Sequence, residues 1–376
     1  MLDRGVPTGP TCFSIMLCVA VGAARGGAQA IVFPGDDWHE ATPESQGVDS
    51  AKLDAAMRSL AEAFDDTGGI GECVVIRNGY MIWKGNDIDR MHSIWSASKS
   101  FASTALGLLV DDGKCMLDTL AKDHVPELAE QYPTVTLRHF ATMTSGYDAE
   151  GGGYGEDDPL DGSKTPFTPT TPLFAPGERF GYWDDAMRQF GNVLTQTAGE
   201  PLEALFKRRI ADPIGMDPTK WRWRNRGTVK GLLVNDAAGG IDTTARELAR
   251  FGHLFLNRGN WKGEQLVSAA WVHQATSVQV PATIPHNAIS TRQKRIDGRG
   301  VYGYNWWVNG IKPDGTREWL GAPVGTYAAS GLNENNCFVI PEWHMVVVRM
   351  GTEGRPEGVD QVWSRFFAKM GEALGG

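Results

Sequence analysis

Cysteine is scarce in this chain and unevenly placed. Five occur in 376 residues, and Cys12 and Cys18 lie in the N-terminal leader. The other three, Cys73, Cys115 and Cys337, are odd in number and each stands beside apolar residues. They read as small buried hydrophobes, which excludes a disulfide framework or a thiolate metal site. The eight histidines are scattered, with no H-E-x-x-H and no paired Cys spacing, so zinc chemistry is not expected. His139 and His253 fall in helical patterns and read as core or surface residues rather than bases. There is no G-x-S-x-G, so the α/β-hydrolase nucleophile elbow is unsupported. Positive charge is also short: 36 Lys and Arg stand against 45 Asp and Glu, a net charge of −9. Nucleic acid is excluded as a partner, because phosphate binding wants a basic face. No segment beyond the leader is long and apolar enough to span a bilayer. "GGGYG" follows no strand and is no phosphate loop. The acidic stretch with Asp148, Glu150, Glu156, Asp157, Asp158 and Asp161 departs from EF-hand spacing and reads as a solvated loop.

The chain does have material for a core, being 41% hydrophobic and 22% charged. Its 13 Trp read mainly as core and interface packing. The N-terminal run "FSIMLCVAVGAA" followed by Ala28-Gln29-Ala30 resembles a secretory signal peptide over residues 1–30, with export to the periplasm or medium after cleavage. Leu53, Met57, Leu60 and Phe64 share one helical face. "ECVVIRNGYMIWKG" carries Asn78-Gly79 between two apolar runs, a hairpin signal, because a type I′ turn needs positive φ at both positions. Residues 120–234 read as helices joined by loops. "TTARELARFGHLFLNRG" reads as a Thr-capped helix stopped by Gly259. "YGYNWWV", "NNCFVIP" and "HMVVVRM" read as strands, and "GVDQVWSRFFAKMGEAL" as a closing helix. Strands at both ends with helices between predict an α+β fold with an inserted helical domain. The expected divisions are 31–95 with 235–376 for the α/β domain and 96–234 for the helical one.

The stretch "MHSIWSASKSFASTALGLLVDDGKCMLD" sets a puzzle. Lys99 stands in the first turn of an apolar helix, where the macrodipole already disfavours a cation. Ser96 precedes it by three residues, so the hydroxyl and amine are neighbours. A serine hydroxyl needs a base before it is a useful nucleophile. Burial disfavours the charged form of lysine, and a neutral amine is such a base. S-x-x-K alone is a weak signal, equally met by a surface lysine beside an N-cap serine.

The surrounding segments give it weight. "SIWSASKSFASTALGLLVDDGKCMLD", "VTLRHFATMTSGY", "FAPGERFGYWDDAMRQFGNVL", "DPIGMDPTKW", "GGIDTTARELARFGHLFLNRGNWKGEQLVSAAWV", "YGYNWW" and "ASGLNENNCFVIPEWHMVVV" occur in the order seen in the class C β-lactamase-like serine hydrolases, and the resemblance covers most of residues 40–372. That family includes β-lactamases, DD-peptidases, family VIII carboxylesterases and 6-aminohexanoate-dimer hydrolases. The resemblance implies a β-lactamase/transpeptidase-like fold: an antiparallel sheet flanked by helices, an inserted mostly helical domain, and the active site between them.

It also implies roles. Ser96 is the nucleophile, and Lys99 and Tyr182 exchange its proton and the leaving group's. Tyr182-Trp183-Asp184 matches the family's Y-x-N, with Asp184 departing from Asn. An ionised Asp only accepts hydrogen bonds, and its charge beside Lys99 favours the ammonium. Asp184 is therefore expected either to turn towards Arg179 or Arg188, or to pair with Lys99 while an ionised Tyr182 serves as base. Ala329-Ser330-Gly331 matches K-T-G, whose lysine holds a β-lactam carboxylate; Ala329 carries no cation. Asp184, Ser330 and Gly331 are the expected substrate-binding residues, Gly331 allowing close backbone approach. The backbone N–H groups of Ser96 and Leu332 would form the oxyanion hole. The function expected is an acyl-enzyme hydrolase of small neutral carboxylic esters, needing no metal or cofactor. The alternatives are a β-lactamase, DD-peptidase or other amide hydrolase, and a non-catalytic peptide- or glycan-binding protein on the same fold.

Overall fold

The computed structural model describes residues 1–2, 31–151, 163–288, 295–354 and 356–375. The leader, and Glu156, Asp157, Asp158 and Asp161 of the acidic loop, lie outside the described residues. Ile31–Gly376 form one compact unit.

The chain runs β1 (His39–Glu40), α1 (Ser50–Ala63), β2 (Cys73–Arg77), β3 (Tyr80–Lys84), β4 (His92–Ser93), α2 (Ser98–Asp111), α3 (Leu137–Ala141), α4 (Asp184–Ala198), α5 (Leu202–Phe206) and α6 (Asp212–Ile214). It continues β5 (Trp221–Trp223), β6 (Asn225–Val229), β7 (Leu232–Asn235), β8 (Ile241–Thr243), α7 (Ala245–Leu256), β9 (Asn260–Trp261), β10 (Glu264–Gln265) and α8 (Ala269–Ala275). It ends β11 (Trp307–Val308), β12 (Tyr327–Gly331), β13 (Asn335–Ile340), β14 (Met345–Arg349) and α9 (Val359–Ala373).

The main sheet has the order β1-β3-β2-β14-β13-β12-β11. Every pairing in it is antiparallel except the edge, where β1 lies parallel to β3. The strands alternate between two cores. Val75, Phe338, Ile340 and Val347 pack with α1 and α9 on one face, while Val74, Ile76, Val339, Val346 and Val348 pack with α7 and α2 on the other. A sheet covered on both faces explains why these strands read as continuous apolar runs. The β2–β3 turn has φ of 53° at Asn78 and 87° at Gly79, the expected type I′ geometry. Asp49 caps α1 and Thr244 caps α7 through the N–H groups of Lys52 and Glu247.

Residues 120–234 are not all helix and loop, as the sequence reading had it. Trp221–Asn235 contains β5, β6 and β7. Trp221 and Trp223 are buried while Arg222 between them is exposed, a period of two that marks a half-buried strand. Lys230 and Gly231, with φ of 50° and 81°, make the β6–β7 turn. A small sheet, β4-β8-β5, then ties the strand before Ser96 to this region. Among the described residues no helix is long and apolar enough to cross a membrane, and no group of three or more acidic, His or Cys side chains is placed to hold a metal ion. Cys73, Cys115 and Cys337 are buried free thiols.

Candidate active site

Two helix N-termini converge on Ser96. Trp95–Ala97 forms a 3₁₀ turn that leads directly into α2. Helix α2 is buried from Ser98 to Leu109, so its first turn, Lys99 included, is enclosed. The Ser98 hydroxyl accepts the Ile241 N–H at 2.9 Å, fixing that turn to β8. Asp184 opens α4, where a carboxylate complements the dipole.

Lys99 Nζ lies 2.9 Å from Ser96 Oγ, 2.7 Å from Asp184 Oδ1 and 2.8 Å from the Ala238 carbonyl oxygen. Its side chain is 1% exposed and that of Asp184 15%. The Tyr182 ring lies alongside, its centroid 4.9 Å from Nζ. The structure therefore brings Ser96, Lys99, Tyr182 and Asp184 together. Of the two arrangements expected for Asp184, the ion pair with Lys99 is the one present. Arg188 bonds instead to Asp185, Nη1 to Oδ1 at 2.8 Å. Burial raises the Asp185 pKa, although Arg188 works against it. Burial pulls Arg188 down, but Asp236, Asp184 and Asp185 together more than offset this and leave it raised.

The answer to the lysine puzzle is in these contacts. Asp184 and the Ala238 carbonyl only accept hydrogen bonds, whereas the serine hydroxyl can also donate. Asp184 and the Ala238 carbonyl thus hold Nζ beside the Ser96 hydroxyl, and the carboxylate stabilises a cation that the helix N-terminus alone would disfavour. Asp236 arranges the carbonyl: its Oδ1 accepts from the N–H groups of Ala238 at 3.0 Å and Gly239 at 3.3 Å, folding the turn that presents Ala238 to Lys99.

The segment leading to Ser96 runs between β8 and β12. The Ile94 N–H donates to the Ile241 carbonyl at 3.0 Å. On the other side, Gly331 is pressed against it: a Cβ there would stand 2.9 Å from Ala97 N and 3.1 Å from Ser96 N, and nearer still to the Ile94 carbonyl oxygen. Gly331 thus admits the backbone of Ser96 and its neighbours. Trp95 has a φ of 49°, a left-handed conformation costly for an aromatic residue, and the Ser93 hydroxyl accepts its N–H at 3.2 Å. Among the described residues, no loop or turn hydrogen bond uses the Ser96 or Leu332 N–H.

A cleft of about 180 Å³ opens over Ser96, lined by Trp95, Ser96, Asp184, Arg188, Arg224, Asn225, Arg226, Asp236, Ala238, Gly239 and Leu332. Ser330 pairs with Asn336 and, like Gly331, is outside this lining. Sequence reasoning missed Arg224, Arg226 and Asp236; the alternation in "WRWRNR" was the signal. His253 is fully buried among Phe33, Trp38 and Trp261, and His139 completes a capping box with Thr136, so neither enters the cleft.

A sheet with helices on both faces thus carries a serine-lysine pair at the head of a buried helix. The chain belongs to the Beta-lactamase family, whose model matches residues 57–366. It is 26% identical over 135 residues to a β-lactamase of Pseudomonas fluorescens, a match that spans 34% of this chain and 36% of that protein. It is 22% identical over 290 residues to the 6-aminohexanoate-dimer hydrolase of Paenarthrobacter ureafaciens, covering 72% of this chain and 68% of the relative. Its fold is similar to that of EstCE1, described as a hydrolase with promiscuous acyltransferase activity, with a TM-score of 0.58, 16% identity, and coverage of 87% and 99% of the two chains. The family and these relatives make the chain a β-lactamase-family hydrolase.

Proposed function

We propose that the protein hydrolyses carboxylic esters through an acyl-enzyme on Ser96, in the cleft between the sheet and the 96–234 segment. The observation that carries this is the 2.9 Å approach of Ser96 Oγ to an enclosed Lys99 that Asp184 and the Ala238 carbonyl also hold. Ser96 Oγ attacks the ester carbonyl as its proton passes to the Lys99–Tyr182 pair. The N–H groups of Ser96 and Leu332 receive the developing oxyanion. The pair then protonates the departing alkoxide, the C–O bond breaks, and water repeats the sequence to free the acid. With the Asp184 carboxylate 2.7 Å from Nζ, the ammonium is favoured at low pH. The three groups titrate as a set, and the rate rises as that set loses a proton.

Two things support ester over β-lactam. Ala329 is buried and uncharged where a β-lactamase of this family carries a lysine for the substrate carboxylate. The relative EstCE1 is described as transferring acyl groups. The same reading places the protein outside the cytoplasm, after removal of residues 1–30; N-terminal sequencing of the exported protein should begin at Ile31. For the chemistry, intact-mass spectrometry with a fluorophosphonate should show one adduct on the peptide containing Ser96, and none on Ser96→Ala. Ordinary ester turnover by Ser96→Ala would remove the mechanism.

A further inference from the structure

The cleft has a charged wall that its sequence motifs do not announce. Asp242, 7% exposed, serves two guanidiniums: Arg222 Nη2 at 2.7 Å and Arg224 Nε at 3.2 Å. Arg188 pairs with Asp185 and, at 3.8 Å, with Asp236, which also takes Arg226. Asp184 answers Lys99. Among the described residues of this cluster, with Lys99 as the ammonium, five cations stand against four carboxylates, in a protein whose net charge is −9.

That excess faces the cleft at Arg224. Its side chain is 47% exposed and lines the cavity, whereas Arg222 does not. Arg224 Nη2 donates to the Gly239 carbonyl at 2.7 Å and to Ser93 Oγ at 3.0 Å, which hold the head group in place. Nη1 takes part in neither bond and has two further donors. Gly239 follows Ala238, whose carbonyl oxygen is 2.8 Å from Lys99 Nζ, so this guanidinium stands one peptide from the catalytic amine's own partner.

The fold also says which part of a substrate meets Arg224. Tyr182 packs on Trp307, the residue that pairs β11 with β12. The leaving group must lie near the acid that protonates it, on that side. The acyl portion then extends to the opposite wall, beyond β8, where Arg224 follows the end of β5. A β-lactam carboxylate would instead sit beside Ala329, Ser330 and Gly331, none of which carries a charge.

We propose that Arg224 is the recognition site for an anionic group on the acyl portion, so that the preferred substrates are half-esters of short dicarboxylic acids. This rests on the ester-hydrolase reading and narrows it: the scissile ester is neutral, and the far end of its acyl chain carries a carboxylate.

The test compares kcat/KM for mono-4-nitrophenyl glutarate with that for 4-nitrophenyl butanoate, the same chain without the carboxylate. The ratio cancels general damage to the catalytic groups. It should exceed one in the native enzyme and fall at least tenfold in Arg224→Gln. Arg224→Lys should lie nearer the native ratio than the Gln variant, and Arg222→Gln should leave the ratio within threefold. A second readout needs no turnover: calorimetric binding of glutarate to Ser96→Ala should weaken at least tenfold when Arg224→Gln is added. If binding follows Arg224 but neither ester is cleaved, the hydrolase reading falls and the anion site stands. If both esters are cleaved and neither the ratio nor glutarate binding responds to Arg224, the anion site is wrong and the hydrolase reading stands.

Discussion

Gly331→Ala is the sharpest probe of how β12 serves Ser96. Gly331 has φ −140° and ψ 169°, extended backbone that alanine adopts freely, so the substitution adds no backbone strain. Its whole effect is steric. The new methyl would stand 2.9 Å from Ala97 N and 3.1 Å from Ser96 N, with the Ile94 carbonyl oxygen closer. Non-bonded carbon contacts settle near about 3.5–4 Å, so relief requires the end of β12 and the Ser96 turn to part by roughly 1 Å. Those neighbours are backbone atoms tied to β8 and α2, and no side chain can rotate away. Overpacking of this kind costs about 1–3 kcal/mol in stability, which a well-packed domain survives. The catalytic cost is larger, because Leu332, next in the chain, supplies an oxyanion donor under the proposed mechanism. Displacing such groups by ~1 Å costs on the order of 10²-fold. The expected result is a folded variant whose kcat on a 4-nitrophenyl ester falls about 100-fold. The control is Gly325→Ala, whose methyl meets the Glu342 side chain, with its nearest carboxylate oxygen 2.8 Å away, and that side chain can move. Activity of Gly331→Ala within threefold of native, with the control equally active, would refute the claim that β12 and the Leu332 N–H take part.

Other expectations follow from the same geometry. Asp184→Asn should hold ester hydrolysis within roughly tenfold, about 1.4 kcal/mol in the barrier. It should also move the alkaline-favoured limb of the pH–rate profile to lower pH, because one charge favouring the Lys99 ammonium is gone; near-complete loss would show that Asp184 is itself catalytic. Short-chain activated esters should be turned over far faster than nitrocefin, and equal efficiency would favour the β-lactamase alternative. His253 gives a stability test: burial lowers its pKa to about 4, the Val32 carbonyl opposing and Arg250 adding to the effect. Its Nε2 faces that carbonyl at 3.0 Å and Nδ1 has no partner among the described residues, so the ring is neutral with the proton on Nε2. Below the ordinary histidine range the unfolded chain takes up a proton before the folded one does. Stability should therefore fall as pH drops from about 6.5 towards 4, by at most about 3 kcal/mol, in denaturant titrations. His253→Gln should flatten that slope, and an unchanged slope would refute the assignment.

What could be read from the sequence was whatever depends on local pattern. The i, i+3 spacing of Ser96 and Lys99, the Asn78-Gly79 turn, the Thr244 cap and the apolar runs of β2, β13 and β14 each follow from a short-range rule, and each is present. Tyr182 and Asp184 were legible only through the family's motif order, since Tyr182 lies 86 positions beyond Ser96 and no periodicity links them; the link is α4 packing beside α2. The left-handed Trp95 was not legible, because nothing in its side chain favours positive φ. That conformation is imposed from outside, by the Ser93 hydroxyl on its N–H and by Gly239 packed on its backbone.

Arg224 shows the same limit more clearly. The strand it follows is three residues long, too short for a strong pattern, and its meaning depends on a charge count across segments far apart in the chain. Asp242 is a good partner for either Arg222 or Arg224, but it cannot neutralise both. A sequence reader sees acidic and basic residues in ordinary proportion and expects them to cancel. Only the β5–β8 pairing, which sets Arg222 opposite Asp242 and leads the chain to Arg224 in the cleft two residues on, shows that one carboxylate is shared. The missing lysine of the K-T-G motif therefore does not leave the cleft without a cation. The positive charge has a different address, on the opposite wall from β12, and a change of wall is a change of which substrates fit.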